Sequence, residues 1–178
     1  MYNLPKFITL VDYQTLLSLI MKKYFERLFA HEHWANLCVL EAMVSAPKVP
    51  LKVLEIFSHE IAIQRIWLDR INDNDSEVHL DEVFNLEIML ELLEINYTEM
   101  MAIIEKQDFN QLIAYKIPPS NIDYVITVHE ILTHLLLHAA HHRGQIALLL
   151  RQENLKVPEV DFIIEINTQQ KEIAKVTI

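Results

Sequence analysis

The chain has 178 residues, 52% of them hydrophobic, enough for one buried core in a single compact domain. Its 25 acidic and 15 basic residues give a formal charge of -10; such a surface repels phosphate backbones, and without a basic patch to offset it no nucleic-acid partner is expected. The single cysteine, Cys38, excludes an intrachain disulfide framework and fits a reducing cytosol; within a helical pattern it reads as a small buried hydrophobe.

The N-terminal stretch, with Lys6, Asp12 and Gln14, lacks the uninterrupted apolar region and cleavage site of a signal peptide, so a cytoplasmic location is expected. Residues 1–20 read as an extension, either further helix or a start upstream of the native one, because the helical pattern strengthens at Met21. With one glycine in the chain and Leu, Ile, Ala, Glu and Met dominant, the composition argues for an all-α class. Four segments carry apolar residues at three- and four-residue spacing: Asp12 to Ser45, Leu51 to Ile71, Val83 to Lys106 and Asp123 to Glu153. Together they predict a four-helix bundle.

The first connection, Ala46 to Pro50, is short and flanked by prolines, which predicts that helices one and two are antiparallel neighbours. The second, Asn72 to Leu80, is polar and acidic. The third, Asp108 to Asn121 with Pro118 and Pro119, is long enough to cross the end of the bundle, and Leu112 to Ile117 reads as a short strand. The longest apolar stretch, Tyr124 to Leu150, is interrupted by Glu130, five histidines, Arg143 and Gln145, so it reads as a core helix and no membrane partner is expected. Beyond it Val157-Pro158 ends the regular pattern, and Asp161 to Lys175 reads as a short terminal helix.

Five of the nine histidines fall in the fourth helix: His129, His134, His138, His141 and His142. Residues four apart on a helix share a face with Cβ atoms about 6 Å apart, so His138 and His142 can direct ring nitrogens at one ion. His134 and His138 form a second candidate pair, and spacing alone leaves the choice open. His59 is the leading third ligand, on a helical face shared with Ile56, Ala62, Ile63 and Ile66 that should point inward. A buried imidazole needs partners for its nitrogens, and metal coordination or a backbone carbonyl would each supply one.

The string HAAHHRGQIALLLRQ, His138 to Gln152, resembles the most distinctive segment of the DinB/YfiT-like family. MKKYFERLFAHEHWAN, Met21 to Asn36, is similar to that family's opening helix, and FSHEIAIQRIWLDRI, Phe57 to Ile71, to its second. The resemblance covers about Met21 to Ile166, so a DinB-like bundle is expected over 21–166, with a tail over 167–178. It implies that His59, His138 and His142 are the metal ligands, with His134 and His141 beside the site, orienting it or touching substrate. Trp34 and Trp67 stand at the family's usual places and read as packing anchors, Trp34 also at the border of a pocket. Gly144, inside the fourth helix, is expected to admit a neighbouring helix closely, and Arg143 and Gln145 to make structural contacts. Asn154 replaces a common helix-ending glycine and can cap in its place.

Three neutral imidazoles leave a metal position open to an exchangeable ligand, which is the arrangement of a catalytic site. The resemblance implies a metal-dependent thiol S-transferase in which a low-molecular-weight thiol is held as thiolate and attacks a small-molecule substrate. The alternatives are metal-assisted hydrolysis aided by His141 or His134, and a non-catalytic metal-binding or stress-response protein. Zinc or nickel is the expected ion, with iron also accepted by imidazole. A homodimer is expected from the family's habit and from Tyr24, Phe25, Leu28 and Phe29, which make helix one apolar on more than one side.

Overall fold

The computed structural model describes residues 10–116 and 122–167, with side chains from residue 13 onward. The order is α1 (Leu10–Val44), α2 (Leu51–Ile71), α3 (Leu86–Lys106), β1 (Leu112–Lys116), β2 (Asp123–Thr127) and α4 (Val128–Gln152), followed by a helical turn over 162–167. The class is all-α, a four-helix bundle carrying one small antiparallel hairpin. Among the described residues no helix is long and apolar enough to cross a membrane.

Local chemistry sets the helix ends. Asn85 caps α3 by accepting a hydrogen bond from the Ile88 N–H at 2.9 Å, which moves the start from the expected Val83 to Leu86. The α4 terminus has Asn154 in the left-handed region at φ 56°, the Asn154 N–H on the Arg151 carbonyl and the Leu155 N–H on the Leu150 carbonyl. This is the Schellman arrangement with asparagine in the glycine position, as the sequence predicts.

Two expectations about the connections are corrected. The fourth helix begins at Val128, because Asp123–Thr127 is strand β2, paired with β1 in the register Ile113↔Ile126. Helices α1 and α2 are diagonal rather than adjacent: α1 packs on α3 and α4, and α2 packs on α4 and α3. Residues 45–50 can span that diagonal, since an extended chain covers roughly 3.3 Å or more per residue. The long connection to α4 carries the hairpin, which rests on α2 through β1 and on α4 through β2. Of the helix expected over Asp161 to Lys175, Asp161 precedes the helical turn, 162–167 is helical and 168–175 lies outside the described residues, as do Pro118 and Pro119.

The core has two apolar halves. One gathers Phe25, Phe29, Trp67, Leu68, Ile104, Leu132 and Leu135; the other gathers Met43, Phe57, Ile61, Met89, Leu93, Ile146 and Leu150. Between them lies a polar layer in which Glu32, Asn36, Glu60, Gln64 and Asn96 are all buried. The amides of Asn36 and Gln64 each fork onto both carboxyl groups: to Glu32 Oε1 at 2.6 Å in both cases, and to Glu60 Oε1 at 2.9 Å in both cases. Arg143 enters from α4 and donates to Asn36 Oδ1 at 3.0 Å. Arg65 braces α2 against α3 through Glu99 at 2.6 Å and against its own helix through Asp69 at 2.7 Å. Buried polar groups are tolerated at this density because nearly all are paired; Glu60 Oε2 has no partner.

Gly144 departs from expectation. A Cβ built there meets nothing within 4 Å, so no neighbouring helix approaches and the glycine opens space instead. Trp67 is the expected packing anchor, buried edge-on to Tyr115 and under the Arg70 guanidinium.

Candidate metal centre

His59 on α2 and His138 and His142 on α4 meet at the level of the polar layer, on the side where these two helices pack together. Each is half-buried, and each offers a ring nitrogen such that all three atoms lie within 4.8 Å of one another. His138 Nε2 and His142 Nε2 are 3.1 Å apart. The expected inward face of α2 is thus correct in kind but shallower in degree: Ala62 is buried, whereas Ile56, His59, Ile63 and Ile66 are half-buried.

The electrostatics keep these rings available as neutral donors. Burial foremost, then the imidazoles of His142, His134, His59 and His141, lower His138 to about 4. Burial also lowers His142, against a hydrogen bond to Gln145 that works to raise it. At neutral pH both rings therefore present lone pairs, which is the form a metal ion binds. A tetrahedral ion about 2.0–2.1 Å from each nitrogen separates ligand atoms by roughly 3.4 Å. The 3.1 Å pair is already close to this, and the His59 nitrogen lies within 4.8 Å of both. The donor set fits one divalent metal ion.

Gln145 sets the ring orientation. His142 donates its Nδ1–H to Gln145 Oε1 at 2.8 Å, leaving Nε2 as the free donor atom beside His138. The same amide gives a hydrogen through Nε2 to His141 Nε2 at 3.0 Å. His141 is exposed, with its ring 5.2 Å from that of His142. His134 is exposed too, 5.4 Å from His138 and 6.2 Å from Trp67 by ring centroids, and its pKa is lowered by burial of its packed side. His129 sits apart from the cluster, its Nδ1 donating to the Phe109 carbonyl at 3.0 Å where α4 begins. Trp34 lies against His31, 5.6 Å between ring centroids, and does not line the groove at the histidines.

That groove has a volume of about 590 Å³ and runs from His59 and His142 along α2 and α4, past Ile56, Leu148 and Leu149, to Lys52. A family model described as the DinB family matches residues 49–173, from the end of the α1–α2 connection through α4 and beyond. The chain belongs to the DinB family. A comparison with curated proteins finds no match. Membership and the three-histidine cluster together fit a DinB-like metal-binding protein.

The residue reading missed part of this surrounding. Gln145 reads as structural from the sequence although it touches His142 and its neighbour His141, and Glu32, Asn36, Glu60 and Gln64 carry no assignment there. A signal was present: Phe57, Glu60, Ile61, Gln64 and Leu68 form one helical stripe, and so do Phe25, Phe29, Glu32, Asn36 and Met43. Polar residues inside two apolar stripes mark a buried network.

Proposed function

We propose that His59, His138 and His142 hold one divalent metal ion, zinc or nickel before iron, and that the protein is a metal-dependent thiol S-transferase acting on a small-molecule electrophile. The observation that carries this is three imidazole nitrogens within 4.8 Å of one another, two of them, on His59 and His142, lining an open, largely apolar groove. When bound, the ion supplies a Lewis-acid position that holds a low-molecular-weight thiol in its thiolate form at neutral pH. The chain's own residues do the rest. His138 and His142 stay neutral and bring their Nε2 atoms together, Gln145 fixes the His142 tautomer, and Ile56, Leu148 and Leu149 offer apolar contact to an electrophile. Sulfur attacks the electrophilic carbon, the leaving group departs with its bonding pair, and the thiol proton passes to solvent through the mouth. His141 and His134 border the site without joining the ligand set.

The bundle of 21–166 is the unit that carries this activity, with residues 1–20 as an extension and 167–178 as a tail. Exposed apolar side chains along α1, including Tyr13, Leu16, Ile20 and Tyr24, support a homodimer. A cytoplasmic location fits the free thiol that the reaction requires.

The test is metal content by elemental analysis of the untagged protein beside His59→Ala, His138→Ala, His142→Ala and a His134→Ala control, followed by thiol addition to a panel of electrophiles. Near one ion per chain, lost in the three variants and kept in the control, with thiol-dependent product formation, is the expected result. Thiol-independent ester or amide cleavage would instead identify a hydrolase, and a metal-dependent rise in melting temperature without turnover a non-catalytic metal protein.

A further inference from the structure

A second cavity lies on another face of α4, between that helix, α1 and the 157–164 segment. Its volume is about 850 Å³, within the range of small-molecule sites, and none of the three clustered histidines lines it. Ala140, Gly144 and Ala147 make a floor of small residues along α4. The missing side chain at Gly144 keeps that floor open, since a Cβ there meets nothing within 4 Å. Phe162 and Val157 form part of the opposite wall. The segment bearing Phe162 is held on α1 by the His31–Glu165 contact at 2.7 Å and by Phe162 edge-on to His31.

Arg143 and Arg151 line this space, together with His31, Glu32, Glu159, Asp161 and the apolar side chains. The Arg143 side chain is 10% exposed and uses one nitrogen, Nη1, which donates to Asn36 Oδ1 at 3.0 Å and lies 3.8 Å from Glu32. Among the described residues its Nε and Nη2 have no hydrogen-bond partner, and they are not sealed from solvent. Those two nitrogens form the edge of a guanidinium that receives a carboxylate side-on with two parallel hydrogen bonds. The Arg151 side chain has neither hydrogen bond nor ion pair among the described residues, in a chain with a net charge of -10. Of the acidic residues on the walls, Glu32 lies 3.8 Å from Arg143, and Glu159 and Asp161 are exposed and form no ion pair with either arginine among the described residues.

We propose that this cavity is a second ligand site, independent of the histidine cluster, that takes a monocarboxylate with an apolar body. The carboxylate sits on the open edge of Arg143 with Arg151 supplying a second positive charge, and the hydrocarbon lies along the Ala140–Gly144–Ala147 floor. Neutral analogues lose the charge-assisted bonds, and short carboxylates lose the apolar contact.

Isothermal titration of the full chain with decanoate, decanol and acetate tests this. Decanoate is expected to bind saturably at one site per chain, at least tenfold more tightly than decanol or acetate. Arg151→Ala, which removes no contact within the fold, should weaken decanoate about tenfold. Gly144→Met, which fills the floor, should abolish binding while leaving metal content unchanged, and His59→Ala should bind decanoate as the wild type does. Absence of saturable binding, equal affinity for decanol, indifference to both Arg151→Ala and Gly144→Met, or loss of binding in His59→Ala would overturn the proposal, the last by placing the carboxylate at the histidines.

Discussion

Replacing Glu60 with Gln should flatten the pH dependence of stability between about pH 4.5 and pH 8. Glu60 is 1% exposed, and its carboxyl is pushed up to about 8 by burial first and by the Glu32 carboxylate second, with Arg143 and the Asn36 hydrogen bond opposing. In the unfolded chain the same group releases its proton at its ordinary value of 4.5. Between those values the folded state holds a proton that the unfolded state has lost, so stability falls as pH rises, by up to about 1.4 kcal/mol per unit. The contribution is fully present below the unfolded value and gone above the folded one. Across the window it amounts to as much as about 5 kcal/mol, comparable with the whole stability of a marginal domain. Glutamine keeps the acceptor for Asn36 and Gln64 but cannot ionise. Urea unfolding of chelator-treated wild type and Glu60→Gln at pH 5, 6, 7 and 8 reads the effect. Histidines titrate in both proteins, so their difference isolates the Glu60–Glu32 pair; His138, lowered to about 4, acts in the opposite sense, its contribution lost as pH falls from 6.5. Parallel profiles for the two proteins would refute the reasoning.

Three further outcomes are expected. Gln145→Ala should weaken metal binding about 10- to 100-fold, because His142 loses the acceptor that fixes its tautomer; chelator competition reads this, and an unchanged affinity would contradict the assigned role. Phe57→Ala, at a site with no exposed surface, should cost about 3–5 kcal/mol in urea unfolding without changing the family of bound metals. Gly144→Ala should raise stability by roughly 1 kcal/mol, since the added methyl meets open space and helix propensity improves; a destabilised variant would show that the glycine is needed for the backbone.

Helix existence was legible because α1 to α4 keep apolar residues at helical spacing and few breakers interrupt them. The start of α4 was not, since Tyr124-Val125-Ile126-Thr127 runs directly into a helical pattern and its strand character depends on pairing with Leu112–Lys116, a partner remote in sequence. Adjacency in the bundle was misread for a related reason: the length of the 45–50 connection limits how far apart α1 and α2 lie but does not choose between a side and a diagonal. At the site, spacing offered both His134/His138 and His138/His142, and only the level at which α2 presents His59 separates them. The resemblance supplied that choice; periodicity alone had no access to it. Gly144 was legible as an anomaly inside a helix, yet whether it admitted a helix or a cavity depended on α1 and the 157–164 segment.

Both helices that carry the histidine cluster repeat one device. His59 is followed directly by Glu60 and His142 by Arg143, and consecutive helical residues point about 100° apart, so one faces the groove while the next reaches the polar layer. Neither helix can roll to adjust the groove without pulling a polar group, Glu60 or Arg143, away from its partners in the buried layer. Grafting the three histidines onto another bundle would therefore reproduce their spacing only if Glu32, Asn36, Glu60, Gln64 and Arg143 travelled with them, and drift at those buried positions in a relative would be a sign that its groove geometry has changed as well.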